Sequence, residues 1–307
     1  MRRVRYERSG GPEVLFLEEV PVPEPGPGEL LVRVDAVGVT LPVVRKVRED
    51  CPPIPLGGEI AGTVVAIGEG VTAYAPGDRV TGLVFGHGYA DHALLHTTMA
   101  SPVPEGASAV DAVALVRSGL VARGALEAAR PAPGESALVT AAASGVGHLA
   151  VQLARAKGAG RVVAAVSDAA KADFVRGLGA DEVVTYDRAE WGEPVDYVLD
   201  AVGGELLTPA VRSLAPHGRL VAYSSGGGTV AAYDLLVGAK SVIGFQMGLI
   251  ARGRPRLYEA WRRELWELHA AGGLRPAVHA EFALEDAAQA HAVIEARANR
   301  GKVVLIP

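Results

Sequence analysis

Val139-Thr140-Ala141-Ala142-Ala143-Ser144-Gly145-Val146-Gly147 is the stretch that decides how this chain folds. It follows a short apolar run, Ala137-Leu138-Val139, and opens a segment, 148–156, with a helical pattern. A turn from buried strand to helix made of small residues lets a ligand come close to the backbone. The dinucleotide fingerprint G-x-G-x-x-G has its three places here at Ala142, Ser144 and Gly147. Small residues in all three still permit a tight turn, close approach of a pyrophosphate, and close helix–strand packing. The helix N-terminus adds N–H groups and a positive dipole end facing that anion. The plain alternative is an ordinary strand-to-helix turn rich in small residues, and the flanking sequence bears on the choice.

Downstream, apolar runs alternate with helical patterns. Strands are expected at 161–166, 182–184, 196–199, 219–223 and 241–243, with a helix at 169–178. Apolar strands interleaved with helices imply a parallel, doubly wound sheet. The end of the second strand bears on NAD against NADP. An NAD site usually places an acid there, about 20 residues past the loop, for the ribose 2′-OH. This chain reads Val166-Ser167-Asp168-Ala169-Ala170-Lys171. Val166 stands where the acid is expected. Ser167 and Lys171 offer a hydroxyl and a cation to a 2′-phosphate. Asp168 argues the other way, because it suits a 2′-OH and repels a phosphate. The balance favours NADPH over NADH.

Before residue 115 the texture differs. Short β-type runs at 30–34, 62–68 and 79–84 are separated by Pro and Gly, and 21–28 reads as a Pro-rich surface loop. This pattern suggests a small β-barrel-like domain. The tail carries helical stretches at 256–271 and 284–297 and ends in a strand at 302–306, which needs a partner and finds its natural host in the first domain. With 307 residues, 49% apolar and 21% charged, the chain can bury two cores, so global disorder is excluded. Its net charge of −5 makes it a poor binder of nucleic acid or membrane surfaces. No secretory signal or membrane-spanning run is read, so a cytoplasmic location is expected. There are 38 glycines against a single cysteine, Cys51, which excludes an internal disulfide and a cysteine-built metal cage.

Further motifs stand in a recurrent order. They include Gly57-Gly58-Glu59-Ile60-Ala61-Gly62-Thr63-Val64, Ala66-Ile67-Gly68-Glu69-Gly70-Val71-Thr72, Pro76-Gly77-Asp78-Arg79-Val80, Gly88-Tyr89-Ala90-Asp91 and Val103-Pro104-Glu105-Gly106. Gln152-Leu153-Ala154, Asp200-Ala201-Val202-Gly203-Gly204, Gly218-Arg219-Leu220-Val221 and Gly301-Lys302-Val303-Val304-Leu305 follow. In this order they resemble the quinone oxidoreductase (zeta-crystallin-like), zinc-independent branch of the medium-chain dehydrogenase/reductase superfamily, over nearly the whole chain. The resemblance implies an α/β chain. A GroES-like β-barrel catalytic domain (1–115 and 246–307) would enclose an inserted Rossmann domain (116–245), with the active site in the cleft. It also implies a homodimer or homotetramer joined through the Rossmann sheet edge, here Ser241-Val242-Ile243.

By that resemblance, Gly145 and Val146, within the loop Ser144–Gly147, contact the pyrophosphate. Ser167, Lys171 and Tyr186 surround the 2′-phosphate, although a tyrosine after a strand also often caps a sheet. Val202 and Gly203 lie near the nicotinamide ribose, Ser224 and Ser225 border the nicotinamide, and Arg297 is a further cofactor contact. The zinc-dependent relatives hold their metal where this chain has Thr40 and Gly58, so no metal is expected. Thr40, Cys51 and Val121 are the substrate-cleft candidates. Thr40 stands where the family has Asn, and Val43 where it has Asp. Val121 lacks the hydroxyl of the family's Thr, and Arg123 adds a charge. No residue reads as a general acid. The leading reading is hydride transfer from NADPH to a quinone. Reduction of α,β-unsaturated carbonyls or enoyl thioesters is the enzymatic alternative. An NADPH-binding protein with little turnover is the non-enzymatic one. RNA binding, a side activity in the family, is disfavoured by the −5 charge.

Overall fold

A computed structural model describes residues 1–49, 54–84, 86–223 and 226–307. By contact the chain forms two units, Met1–Arg117 with Pro276–Pro307, and Ser118–Arg275.

The first unit opens with an antiparallel pair, β1 (Arg2–Arg5) and β2 (Phe16–Glu19). The long strand β3 (Glu29–Val39) is its spine. Val32 and Val34 turn inward while Arg33 between them is exposed, the alternation of a half-buried strand. Then come α1 (Leu41–Arg48), β4 (Glu59–Ile67), β5 (Arg79–Leu83), β6 (His92–His96) and β7 (Ala100–Pro102). Helix α2 (Ala109–Ala129) carries the chain across the boundary between the units.

The second unit holds β8 (Ser136–Val139), α3 (Gly147–Ala156), β9 (Arg161–Val166), α4 (Ala172–Gly177), β10 (Glu182–Thr185) and β11 (Val195–Asp200). It continues with α5 (Leu207–Arg212), β12 (Leu214–Ala222), α6 (Ala232–Gly238), β13 (Ser241–Gly244), α7 (Met247–Gly253) and α8 (Pro255–Ala270). Its six strands run parallel in the order β10-β9-β8-β11-β12-β13. Every residue of β9 after Arg161 is buried, as expected for a parallel strand covered on both faces. The strand order reverses between β8 and β11, so a crevice opens beyond their C-terminal ends.

The tail returns as β14 (Val278–Ala283), α9 (Ala287–Glu295) and β15 (Lys302–Ile306). Strand β15 pairs antiparallel with β3 and parallel with β14, so the terminal strand is housed in the first unit. The resulting sheet has the order β14-β15-β3-β4-β5-β7, with β6 also on β3.

The second unit extends to Arg275, whereas the sequence texture suggests an end at 245. Trp261 and Leu265 of α8 are buried, and Leu265 lies 3.0 Å from where a side chain on Gly119 of α2 would begin. Gln152 of α3 clasps Arg275 from both sides, accepting its N–H at 2.8 Å and donating to its carbonyl at 3.0 Å. Apolar burial and this amide clasp hold 246–275 in the second unit.

In the first unit's core, Tyr89 and His291 are buried edge to face, with Tyr89 Oη and His291 Nε2 3.2 Å apart. Burial lowers the imidazole pKa from 6.5 to about 4, against a smaller opposing pull from Glu295. The folded state therefore holds His291 neutral where the unfolded chain would protonate it. That stability is complete above pH 6.5 and is lost as pH falls toward 4, in all about 3 kcal/mol. Urea unfolding between pH 7.5 and 4.5 is expected to show this loss, and His291→Gln to flatten most of it. Equal pH slopes for the two proteins would refute the assignment.

Candidate active site

The crevice is built around a buried carboxylate. Asp200, the last residue of β11, is fully buried. Its Oδ1 accepts the Thr140 hydroxyl at 2.7 Å and the Val202 N–H at 3.2 Å, and its Oδ2 accepts the Gly203 N–H at 2.9 Å. Thr140 Oγ1 in turn accepts the Ala201 N–H at 2.8 Å. The loops after β8 and β11 are thus tied together where the strand order reverses. Asp200 entered the sequence reading only as part of a motif, and this clamp was not foreseen. Its signal is an acid ending an otherwise apolar strand.

The glycine loop is held from beneath. Ala141 has φ 47°, a left-handed conformation that costs a non-glycine residue about 1–2 kcal/mol. The Tyr186 hydroxyl accepts the Ala141 N–H at 2.7 Å and donates to the Ala165 carbonyl at 3.3 Å. The resemblance placed Tyr186 at the 2′-phosphate; here its hydroxyl is engaged with the backbone of the loop. Ser144 Oγ accepts the Gly147 N–H at 3.0 Å, and the Ser144 carbonyl accepts the His148 N–H at 3.1 Å. Two N–H groups, of Gly145 and Val146, have no hydrogen-bond partner among the described residues. They precede α3, and two adjacent amides at a helix start fit an anionic pyrophosphate. Gly147 is required by space: a Cβ there would lie 2.1 Å from the Ala141 carbonyl oxygen and 2.8 Å from Ala142 Cα.

At the end of β9, Lys171 Nζ stands 3.5 Å from Ser167 Oγ, putting a cation and a hydroxyl side by side. Asp168 Oδ1 accepts the Ala170 N–H at 2.8 Å and so caps the following turn. The Tyr223 hydroxyl, near Asp200 and Tyr186, is buried without a hydrogen-bond partner among the described residues, and burial raises its pKa.

The crevice thus gathers Ser144, Gly145, Val146, Gly147, Ser167, Lys171, Tyr186, Val202 and Gly203 at the ends of four neighbouring strands. Thr40 and Arg297 belong to the first unit and half-buried Val121 to the second. Arg297 follows α9 with φ 52°, and Glu295 pairs with Arg48. Cys51, Ser224 and Ser225 lie outside the described residues. Arg123, the added charge, pairs with Glu127 at 2.7 Å and Glu264 at 2.9 Å and stacks over Trp261.

Residues 26–118 match the alcohol dehydrogenase GroES-like domain, and residues 178–305 match a family described as zinc-binding dehydrogenase. The quinone oxidoreductase of Pseudomonas aeruginosa is 32% identical over a 331-residue alignment covering 100% of this chain and 99% of its own. The chain belongs to the zinc-independent quinone oxidoreductase branch of the medium-chain dehydrogenase/reductase superfamily. A 2-haloacrylate reductase from a Burkholderia species is 31% identical, covering 98% of this chain and 97% of its own. A mycobacterial protein complexed with NADPH aligns with TM-score 0.93 and 31% identity over 100% of both chains. This protein is an NADPH-dependent oxidoreductase with a GroES-like and a Rossmann unit.

The zinc in the second family's description does not fit the donors present. Glu59 is ion-paired with Lys302 and Arg117, and Gly58 has no side chain. Among the described residues no three His, Cys, Asp or Glu side chains converge on a metal position. No described helix is long and apolar enough to cross a membrane. Replacing Gly147 by Ala is expected to push the loop off α3, costing about 1–3 kcal/mol of stability and weakening NADPH binding by roughly tenfold or more. Thermal melting and fluorescence titration check both, and wild-type affinity in the variant would remove the loop from the site.

Proposed function

We propose that the enzyme is a zinc-independent NADPH:quinone oxidoreductase. The observation that carries the cofactor side is one crevice holding two unpartnered loop amides beside a paired Lys171 and Ser167. The Gly145 and Val146 N–H groups would take the pyrophosphate, and Ser167 with Lys171 the 2′-phosphate. Asp200 and Thr140 hold the two loops in register, and Tyr186 holds Ala141. Bound NADPH supplies a hydride. A quinone then becomes a hydroquinone by taking that hydride and one proton, for which solvent suffices. Neither acceptor candidate, Thr40 of the first unit or Val121 of the second, is an acid, which suits an acceptor needing little acid catalysis. The 2-haloacrylate reductase favours a second reading, because haloacrylate is an activated alkene bearing a carboxylate.

We further propose a homodimer, or a tetramer built on it, joined through β13. This strand is the sheet edge, and Tyr233, Leu236, Val237, Val242 and Leu249 on or beside it are 37–75% exposed. An unpaired strand edge flanked by apolar side chains favours pairing with a second copy.

Titration with NADPH and NADH, then NADPH oxidation with quinones, enones and enoyl thioesters, tests the first proposal. Tighter NADPH binding and turnover of quinones are expected, and Lys171→Ala should weaken NADPH roughly tenfold while leaving NADH unchanged. Tight binding with no turnover across the panel would leave a binding protein, and preference for alkenes would favour the second reading. For the assembly, light scattering should give two or four copies, and Leu236→Asp a single protomer; a monomeric wild type would defeat the proposal.

A further inference from the structure

Tyr223 of the second unit carries a hydroxyl that nothing in the crevice uses. It follows β12, whose last residue, Ala222, pairs with Asp200 of β11. Its N–H donates to the Asp200 carbonyl at 3.1 Å. The side chain therefore starts at the carboxyl end of the sheet, beside the strand that borders the reversal of order. The hydroxyl is buried, and it has no hydrogen-bond partner among the described residues. Burial, and then the charges of Asp200 and Tyr186, raise its pKa, so it stays protonated and is a donor.

Neither of those neighbours takes its proton. Asp200 spends its two oxygens on the Thr140 hydroxyl and the N–H groups of Val202 and Gly203. The Tyr186 hydroxyl is spent on Ala141 and Ala165. The two tyrosines stand on opposite sides of the reversal, after β10 and after β12. One holds the glycine loop, and the other is left with an unmet donor. A buried hydroxyl without a partner destabilises the free protein, whereas phenylalanine would fill the same space without that cost. The donor is useful only if an acceptor is brought to it. Because it is shut off from bulk water, that acceptor comes through the crevice, as a ligand oxygen or as one water carried in with it.

Strand order says which part of a dinucleotide lies near. Ser167 and Lys171 follow β9, on the side given above to the 2′-phosphate. The open amides of Gly145 and Val146 follow β8, and Tyr223 lies beyond them, after β12. The oxygens on that side belong to the nicotinamide half of the cofactor.

We propose that Tyr223 is a cofactor-binding residue whose hydroxyl donates to a phosphate or ribose oxygen in the nicotinamide half of NADPH. This rests on the crevice being the NADPH site and adds a donor to it that the bound cofactor satisfies.

Tyr223→Phe removes one oxygen and keeps the ring. NADP+ and adenosine 2′,5′-bisphosphate, which lacks the nicotinamide half, are titrated by calorimetry into wild type and variant. NADP+ is expected to bind the variant roughly tenfold more weakly, and the bisphosphate to bind both proteins equally. The free variant should melt about 2–4 °C above wild type, because an unmet polar group is gone. Its further rise on adding NADP+ should be smaller than that of wild type. Equal NADP+ affinity in the two proteins overturns the proposal and leaves the crevice reading standing. A free variant that melts lower than wild type also overturns it, since the hydroxyl would then be paired already. So does an equal loss of affinity for the bisphosphate, which reports a distorted crevice rather than one lost bond. Wild type that binds neither ligand would end the crevice reading and this proposal with it.

Discussion

A fully buried carboxylate at the point where the sheet reverses its strand order is the constraint on which the cofactor side depends. Asp200 is tolerable in the core because its donors are all close: the Thr140 hydroxyl and the N–H groups of Val202 and Gly203. Each of those donors belongs to a loop that borders the crevice. The carboxylate therefore converts the usual cost of burying charge into a fixed separation between the two loops. A loop that must present free amides to an anion cannot be stabilised by bonding those amides internally, so its stability comes from residues around it.

Tyr186 serves the same end. Ala141 adopts a conformation that suits glycine, and the tyrosine hydroxyl satisfies its N–H while bonding to β9 through Ala165. Ser144 caps the start of α3 through Gly147. With these neighbours satisfied, the adjacent Gly145 and Val146 amides are left without a hydrogen-bond partner among the described residues. Which N–H groups the loop offers follows from which ones the fold leaves without partners, not from glycine content alone.

The first unit buries a carboxylate by a different logic. In this chain the place next to Glu59 that a metal ligand would need is a glycine, and Glu59 itself faces two cations. Positive charge is thus supplied by side chains drawn from β15 and α2, far apart in sequence, and one of them reaches solvent. Glu59 is thereby engaged by two cations in the first unit.

Much of this was legible in the residues. The runs at 161–166 and 302–306 match β9 and β15 because strands covered on both faces are continuously apolar. The turn 139–147 was readable because small residues at a strand-to-helix junction have few other uses. Helix α2 was not seen: it is itself made largely of Ala, Val and Leu, and burial of most of its residues erases the helical period on which such readings rely. The amphipathic pattern of α8 showed that one face is buried without showing against what, and Trp261 and Leu265 settled it in the second unit. The sequence by itself determined the parallel βαβ order and the small-residue turn after β8, since these depend on local residue type and spacing. Only the tertiary structure decided that Asp200 clamps the crevice, that Tyr186 faces the loop backbone, and that Glu59 meets Lys302 from 243 residues away. Those pairings depend on strand register and packing, which no local pattern encodes.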